Sequence, residues 1–350
     1  MTSANSDSPS LDRYVRQMRY APLGEQGQRR LCQSRVLLCG CGALGSVLAN
    51  TLARAGVGHL RIVDRDFLEL NNLQRQVLYD EQDVAAAHRK AIGGAEKLRR
   101  INSQITIEPI VADVNFENIE QLAAGADLLL DGTDNFETRF LMNDLSLASG
   151  VPWIYGGVIG AEGQTMTILP GETACLRCLM QDTPPPGTTP TCDTAGILGG
   201  IVNVIASMQS VEALKILSGH REQTSRVLSI IDLWSNQLKQ IKLDALRESG
   251  DCLACKQADY EWLSGRRGSQ TAVLCGRNAV QFRGGEGVEV SLAALAAKLE
   301  PLGEVTRNRF LLRAAIGKYQ LTLFADGRAI IGGTDDVSEA KSVYARYIGS

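Results

Sequence analysis

Histidine is nearly absent from this chain. There are three in 350 residues, His59, His88 and His220, and they are too scattered to form a ligand cluster. A surplus of positive charge is missing too. The formal net charge is −3 and the pI is near 5.8, which argues against a nucleic-acid surface. Met1–Ser10 is polar and lacks the apolar core of a secretory signal. The longest apolar stretch, Ile197 to Leu217, carries Asn203, Gln209, Glu212 and Lys215, so it reads as a buried helix and not a membrane span. No membrane or nucleic-acid partner is expected, and a cytoplasmic location is the default. Nine cysteines in a chain of this length do not make a disulfide framework. Four of them form two C-x-x-C pairs, Cys175/Cys178 and Cys252/Cys255, and in a reducing compartment that spacing points to metal.

What is present is ordinary for a globular enzyme, with room for one large domain and a smaller one. Residues 1–10 read as a disordered start. A polar, Arg-rich helical arm follows over residues 11–33. From Ser34 onward short apolar strands alternate with helical runs, which implies parallel βαβ units. Expected strands are Arg35–Gly40, His59–Asp64, Ile105–Val111 and Asp127–Asp131. Val151–Gly157 and Gln164–Leu169 continue the sheet, the latter antiparallel. The run from Asp182 to Ala195, with four prolines and five threonines, reads as an exposed crossing loop. A strand over Val227–Leu233 and a return to Leu243 lead to the second C-x-x-C. Residues 257–269 read as a linker, and 270–350 as a small α+β domain with no motif whose chemistry can be named. There Tyr319, Leu321 and Leu323 alternate as a strand, Asp326-Gly327 makes a turn and Ile330-Ile331 the return.

The chemistry gathers in the first domain. Gly40-Cys41-Gly42-Ala43-Leu44-Gly45 fits G-x-G-x-x-G between a strand and a helix, where backbone N–H groups approach phosphate oxygens. Asp64 ends the next strand, placed to accept from ribose hydroxyls. Alone, these residues indicate a nucleotide, and NAD is the ordinary first reading. Asn72-Leu73-Gln74-Arg75 and Lys90 do not suit NAD, which has no terminal phosphate to hold. A triphosphate does need such cations. Asp131-Gly132-Thr133-Asp134-Asn135 ends a strand at the carboxyl edge of the sheet, where a carboxylate can hold magnesium. The two C-x-x-C pairs, 74 residues apart from Cys178 to Cys252, supply four thiolates for a closed structural zinc site. Two unrelated cysteine pairs or a redox pair are the alternatives.

The order RYVRQ, GCGALG, DRDFLELNNLQRQ, Lys90, DGTDN and two C-x-x-C pairs resembles the ThiF/MoeB/HesA family, relatives of the ubiquitin-activating enzymes, over roughly residues 11–256. The resemblance implies an α/β fold, with a Rossmann-like, mostly parallel sheet and flanking helices. It also implies a homodimer that adenylates a ubiquitin-like sulfur-carrier protein ending in Gly-Gly, using ATP and magnesium. Carried over by position, Gly42, Asp64, Asn72, Arg75 and Lys90 contact ATP, with Gly40, Gly45, Asp66, Gln74, Asp131 and Asn135 around them. Asp134 serves magnesium and the adenylate, and Arg16 reaches the partner subunit's site. One departure stands before Lys90, where Ala86-Ala87-His88-Arg89 replaces the family's G-x-P and leaves Arg89 as a rival for the phosphate role.

Cys192 lies in the Pro/Thr-rich loop, where a thiolate could meet the adenylate. Covalent involvement in sulfur transfer and an inert loop thiol both remain open. A sulfur donor such as a cysteine desulfurase is an expected partner. The thiamine branch is the first reading and the molybdopterin branch the second. An NAD-dependent oxidoreductase would explain the glycine loop and Asp64, but not Arg75, Lys90, DGTDN or the cysteine quartet.

Overall fold

The computed structural model describes residues 10–182, 196–267, 271–274, 278–282, 291–326, 328–337, 339–340, 343 and 347–348. Two compact units divide the chain, with the boundary after Arg267.

The first unit is built on an eight-stranded sheet of order β3-β2-β1-β4-β5-β6-β7-β8. Strands β1 (Arg35–Cys39), β2 (His59–Val63), β3 (Thr106–Ile110), β4 (Leu128–Asp131) and β5 (Trp153–Ile159) run parallel. β6 (Glu162–Ile168), β7 (Val227–Asp232) and β8 (Gln237–Lys242) complete it in antiparallel fashion. Central parallel strands are covered on both faces, which is why β4, LLLD, is buried throughout. Along β1, Val36 and Leu38 enter one core with Leu48, Leu52 and Leu98, while Leu37 and Cys39 enter the other with Phe140 and Trp153. β8, at the edge, carries QLKQIK and is exposed at every position.

The helix Gly199–Ser218 is the one described helix long and apolar enough to cross a membrane by length and composition. Here it is a core element. Ile201, Val202, Ile205 and Ala206 are buried. Gln209, wholly buried, donates from Nε2 to Asp131 O at 3.0 Å and to Ile154 O at 3.4 Å.

Two expectations shift. The arm is not one helix but two, Val15–Met18 and Gly24–Gln33. Pro22 disfavours helical geometry at Ala21, and Gly24 takes a φ of +58°. The segment 257–267, expected as linker, is folded onto the first unit. Trp262 is buried with its ring 5.3 Å from Phe140, and its backbone N–H donates to Asp144 Oδ2 at 3.0 Å. Arg177, also buried, pairs with Glu261 at 2.8 Å. A polar stretch with one well-placed indole is enough to dock, because that ring removes a large apolar area from water.

The second unit is an antiparallel sheet of order β11-β12-β13-β14-β10-β9. Its strands are β9 (Thr271–Leu274), β10 (Ala279–Phe282), β11 (Glu304–Arg307), β12 (Leu311–Ile316), β13 (Tyr319–Phe324) and β14 (Ala329–Gly332). The helix Leu292–Leu299 shares a core with β12, β13 and β14 through Leu292, Leu295, Ala296 and Leu299, completing the α+β arrangement.

Candidate nucleotide site and metal centre

Strand order reverses at β1, which has β2 on one side and β4 on the other. The crevice beyond its carboxyl end is therefore the topological switch point of the sheet. Gly40 leaves β1 with a φ of +86°, and a Cβ on Gly45 would stand 2.0 Å from Gly40 O. Only glycine lets the helix Ala43–Ala55 start so close to the strand.

Asp64 ties this loop to the end of β2. Its carboxylate accepts from Cys41 N and Asp66 N, both at 2.7 Å. Burial pushes the Asp64 carboxyl up, against the pull of Lys90. Lys90 opens the helix Lys90–Ile101, an unfavourable place for a cation on dipole grounds. Its Nζ lies 3.0 Å from Asp66 Oδ2 and the side chain is buried. Burial works against the ammonium, but Asp66 and Asp64 outweigh it and raise its pKa, so it stays charged. Just before Lys90 the chain turns, with Ala87 at φ 51°. Arg89 instead lays its guanidinium over the Phe67 ring, 4.8 Å from the centroid. Between the two rivals, Lys90 is the cation among the acids.

The Asp131–Asn135 segment divides by role. Asp131 is fully buried beneath the loop. It accepts from Thr133 N (2.9 Å), Thr133 Oγ1 (2.7 Å), Arg139 Nε (3.1 Å) and Gly156 N (3.4 Å). Those bonds occupy it as a support for the loop. Asn135 caps the helix Phe136–Ser149, accepting from Thr138 N at 2.8 Å. Asp134 alone is exposed as a free-standing carboxylate, and Lys90, Arg65 and Arg139 all sense its charge.

Asn72 is buried; its Oδ1 accepts from Glu69 N at 3.2 Å and its Nδ2 donates to Asn71 Oδ1 at 2.8 Å. Arg75 donates to Asn71 O at 2.8 Å, and Gln74 Nε2 reaches Ile197 O at 3.4 Å. Arg16 belongs elsewhere. Its neighbours are moored at the far ends of the two site helices: Gln17 donates to Ala55 O (3.0 Å) and Arg13 to Ile101 O (2.8 Å). Buried Tyr14 accepts from Asn102 Nδ2 at 2.9 Å. With a rise of about 1.5 Å per residue, Ala55 is about 18 Å from the glycine-loop end of its helix. The exposed Arg16 side chain cannot cover that length to its own chain's site. Cys192 lies outside the described residues.

Two basic residues of the site escaped the sequence reading. Arg65 pairs with Asp113 at 2.6 Å and lies 3.7 Å from Asp66, which adds a second cation to the acidic cluster. Burial opposes its charge, yet Asp113 and Asp66 raise its pKa. Its position inside Asp64-Arg65-Asp66 was the available signal. Arg139 is buried, bonded to Asp131 and to the carbonyls of Thr133 (2.7 Å) and Gly156 (3.1 Å). An arginine on the inward face of an apolar helix could have revealed it.

The four cysteines meet. Their Sγ atoms all lie within 4.8 Å of one another, with Cys175–Cys178 at 3.7 Å, Cys175–Cys252 at 3.6 Å and Cys178–Cys255 at 3.4 Å. A tetrahedral tetrathiolate with metal–sulfur bonds of about 2.3 Å needs sulfurs about 3.8 Å apart, so the cluster fits a metal ion. Asn143 steadies the first pair by accepting from Leu176 N at 2.8 Å.

With this geometry in place, comparison with known proteins gives a consistent answer. The ThiF family model matches residues 14–254. The sulfur carrier protein ThiS adenylyltransferase of Bacillus subtilis is 43% identical over 338 residues, which is 96% of this chain and 99% of that protein. The SAMP-activating enzyme E1 of Haloferax volcanii is 37% identical over 255 residues, covering 73% of this chain and 92% of its own length. Among solved structures, E. coli MccB with ATP superposes with a TM-score of 0.59 at 21% identity, over 70% of this chain and 73% of that one, and shares the fold. The chain belongs to the ThiF family.

Proposed function

We propose that this protein joins AMP to the C-terminal carboxylate of a small ubiquitin-like sulfur-carrier protein ending in Gly-Gly, releasing pyrophosphate from ATP. The observation that carries this reading is the meeting of Lys90, Arg65 and the free-standing Asp134 around a glycine loop at the switch point, in a member of the ThiF family. The attacking carboxylate is already ionised at neutral pH, so no general base is required. It bonds to the α-phosphorus while the bond to the bridging oxygen of pyrophosphate breaks. The work left to the protein is positioning and charge neutralisation.

Asp64 suits the ribose, and Lys90 and Arg75 the departing pyrophosphate, with Asn72 and Gln74 shaping the turn that presents Arg75. Asp134 would hold magnesium, whose bound charge offsets that of the phosphates. Zinc at the four cysteines would be structural, since a closed tetrathiolate offers no open position. A homodimer would bring Arg16 into the partner's site, in keeping with its mooring far from its own. Cys192 would act later, when a donor such as a cysteine desulfurase supplies sulfur. Reduced thiols at the metal site suit the cytoplasm. A thiamine-type carrier is favoured over a molybdopterin-type one by the full-length likeness to a ThiS adenylyltransferase.

The test is pyrophosphate–ATP exchange with a Gly-Gly-ended carrier and magnesium. Exchange should be present in the wild type and lost in Asp134→Ala, with an unchanged circular dichroism spectrum. Tight NAD binding without exchange would return the oxidoreductase reading.

A further inference from the structure

The helix Gly199–Ser218 is apolar around its whole circumference. Its only charged side chains are Glu212 and Lys215, and they pair with each other at 2.6 Å. A helix of this kind belongs inside a protein. One flank of it is nevertheless only partly covered. Val204, Met208 and Val211, spaced i, i+4 and i+7, form that flank, and Val211 is 51% exposed.

Beside the flank lies an uncovered strip of sheet. A Cβ on Gly163 of β6 would meet Ile205 and Ile201, which fixes the side of the sheet that the helix covers. Across the strands that side continues through Gly163, Ile231 and Leu238, and two residues on through Thr165, Ser229 and Gln240. There Leu238 is 61% exposed and Gln240 is exposed too. A cavity of about 430 Å³ lies between Met208 and Val211 on the helix and Ser229 and Gln240 on the sheet. The strip over β7 and β8 is about 10 Å wide, the width of one helix.

A vacancy for a helix and a helix flank in need of cover thus sit side by side on one molecule. A second copy related by a two-fold axis satisfies both at once, each flank entering the other's strip. The ends of the helix set the direction. At its N-terminus, a Cβ on Gly199 would stand 3.0 Å from Gln74 O and 3.9 Å from Arg75 Cα, so this end adjoins the nucleotide site. At its C-terminus, Ser218 O accepts from Arg30 of the arm at 3.1 Å. Twenty residues hold the two ends about 30 Å apart. In an antiparallel pair the arm of one copy stands at the nucleotide end of the other, the approach that Arg16 lacks within its own chain.

We propose that this flank and strip form the seam of a homodimer in which the two copies of Gly199–Ser218 run antiparallel, each over the other's β7 and β8. The seam rests on the homodimer reading and names the surface that makes it.

The experiment is light scattering of the full-length protein across a dilution series, for wild type, Val211→Arg, Leu238→Arg and Ile241→Arg. All three side chains are exposed in the single chain, so arginine is tolerated there. Ile241 lies on the same strand as Leu238 but on the opposite face, since it pairs with Leu228 of the other core. Wild type and Ile241→Arg should run as two chains. Val211→Arg and Leu238→Arg should run as one, with an unchanged circular dichroism spectrum and a dimer dissociation constant raised about 100-fold or more by the unpaired charge. A folded Val211→Arg or Leu238→Arg protein that stays dimeric overturns the seam and leaves the homodimer standing. Equal dissociation of Ile241→Arg overturns the choice of face. A wild type that runs as one chain overturns the homodimer reading and the seam with it.

Discussion

Asp144 shows how much a single buried carboxyl can impose on the chain. It sits on the inward face of the helix Phe136–Ser149, accepts from the Trp262 backbone N–H, and is wholly shielded from solvent. Burial pushes its pKa from 3.8 up to about 6, against the hydrogen bond from Trp262 and the nearby Arg177. The folded state therefore holds the proton more tightly than the unfolded chain. Stability from this group is complete below about pH 4 and is lost as pH rises through about 6, at a cost of about 3 kcal/mol. Asp144→Asn should remove that slope, and melting temperatures from pH 4 to 7 would reveal it as a flatter profile than wild type. Lys90 is the second residue-scale case. Lys90→Met would leave Asp64, Asp66 and Asp134 short of their buried cation, and exchange should fall by about 100-fold or more. The variant should still fold, with a reduced melting temperature.

At the scale of elements, the two C-x-x-C pairs act as a clip. One pair follows β6 and the other precedes the 257–267 segment, so a bound metal would join chain segments far apart in sequence. Asn143 and Asp144, neighbours on one helix, accept from Leu176 N on one side and Trp262 N on the other. That same helix is capped by Asn135, next in the chain to Asp134. Structural zinc contributes on the order of 10 kcal/mol in small domains. Cys175→Ser should therefore lower zinc below one per chain by metal analysis and lower the melting temperature. Cys192→Ser should change neither, and should leave exchange intact. Full zinc content in Cys175→Ser would mean that the sulfurs are misassigned.

For the whole molecule, two consequences can be measured. If Arg16 serves a partner's site, Arg16→Ala and Asp134→Ala should each be inactive alone, and mixed dimers should regain activity at the one site with both residues intact. No recovery after confirmed subunit exchange would remove Arg16 from catalysis. The second concerns the C-terminal unit. The ThiF family model ends at residue 254, and the antiparallel sheet lies beyond it. The first unit has its own cores, and a protein ending at Arg267 should retain exchange. Loss of exchange in a folded truncation would assign the second unit a part in the reaction.

The alternation of strand and helix, the glycine loop and the cysteine spacings were legible in the sequence because each is a local pattern with a local cause. Strand periodicity, a backbone approach that only glycine allows and a two-residue ligand gap all lie within a few positions of one another. The tertiary structure alone decided what depends on distance. It buried Asp131 as a support and left Asp134 exposed, though both are aspartates three residues apart. It brought Arg65 and Arg139 into the site and turned Arg89 onto Phe67. It moored the arm carrying Arg16 at the far end of the helices, and it docked Trp262 where a linker had been expected. These outcomes turn on which groups lose their water and which partners wait for them, and only the packed chain sets both.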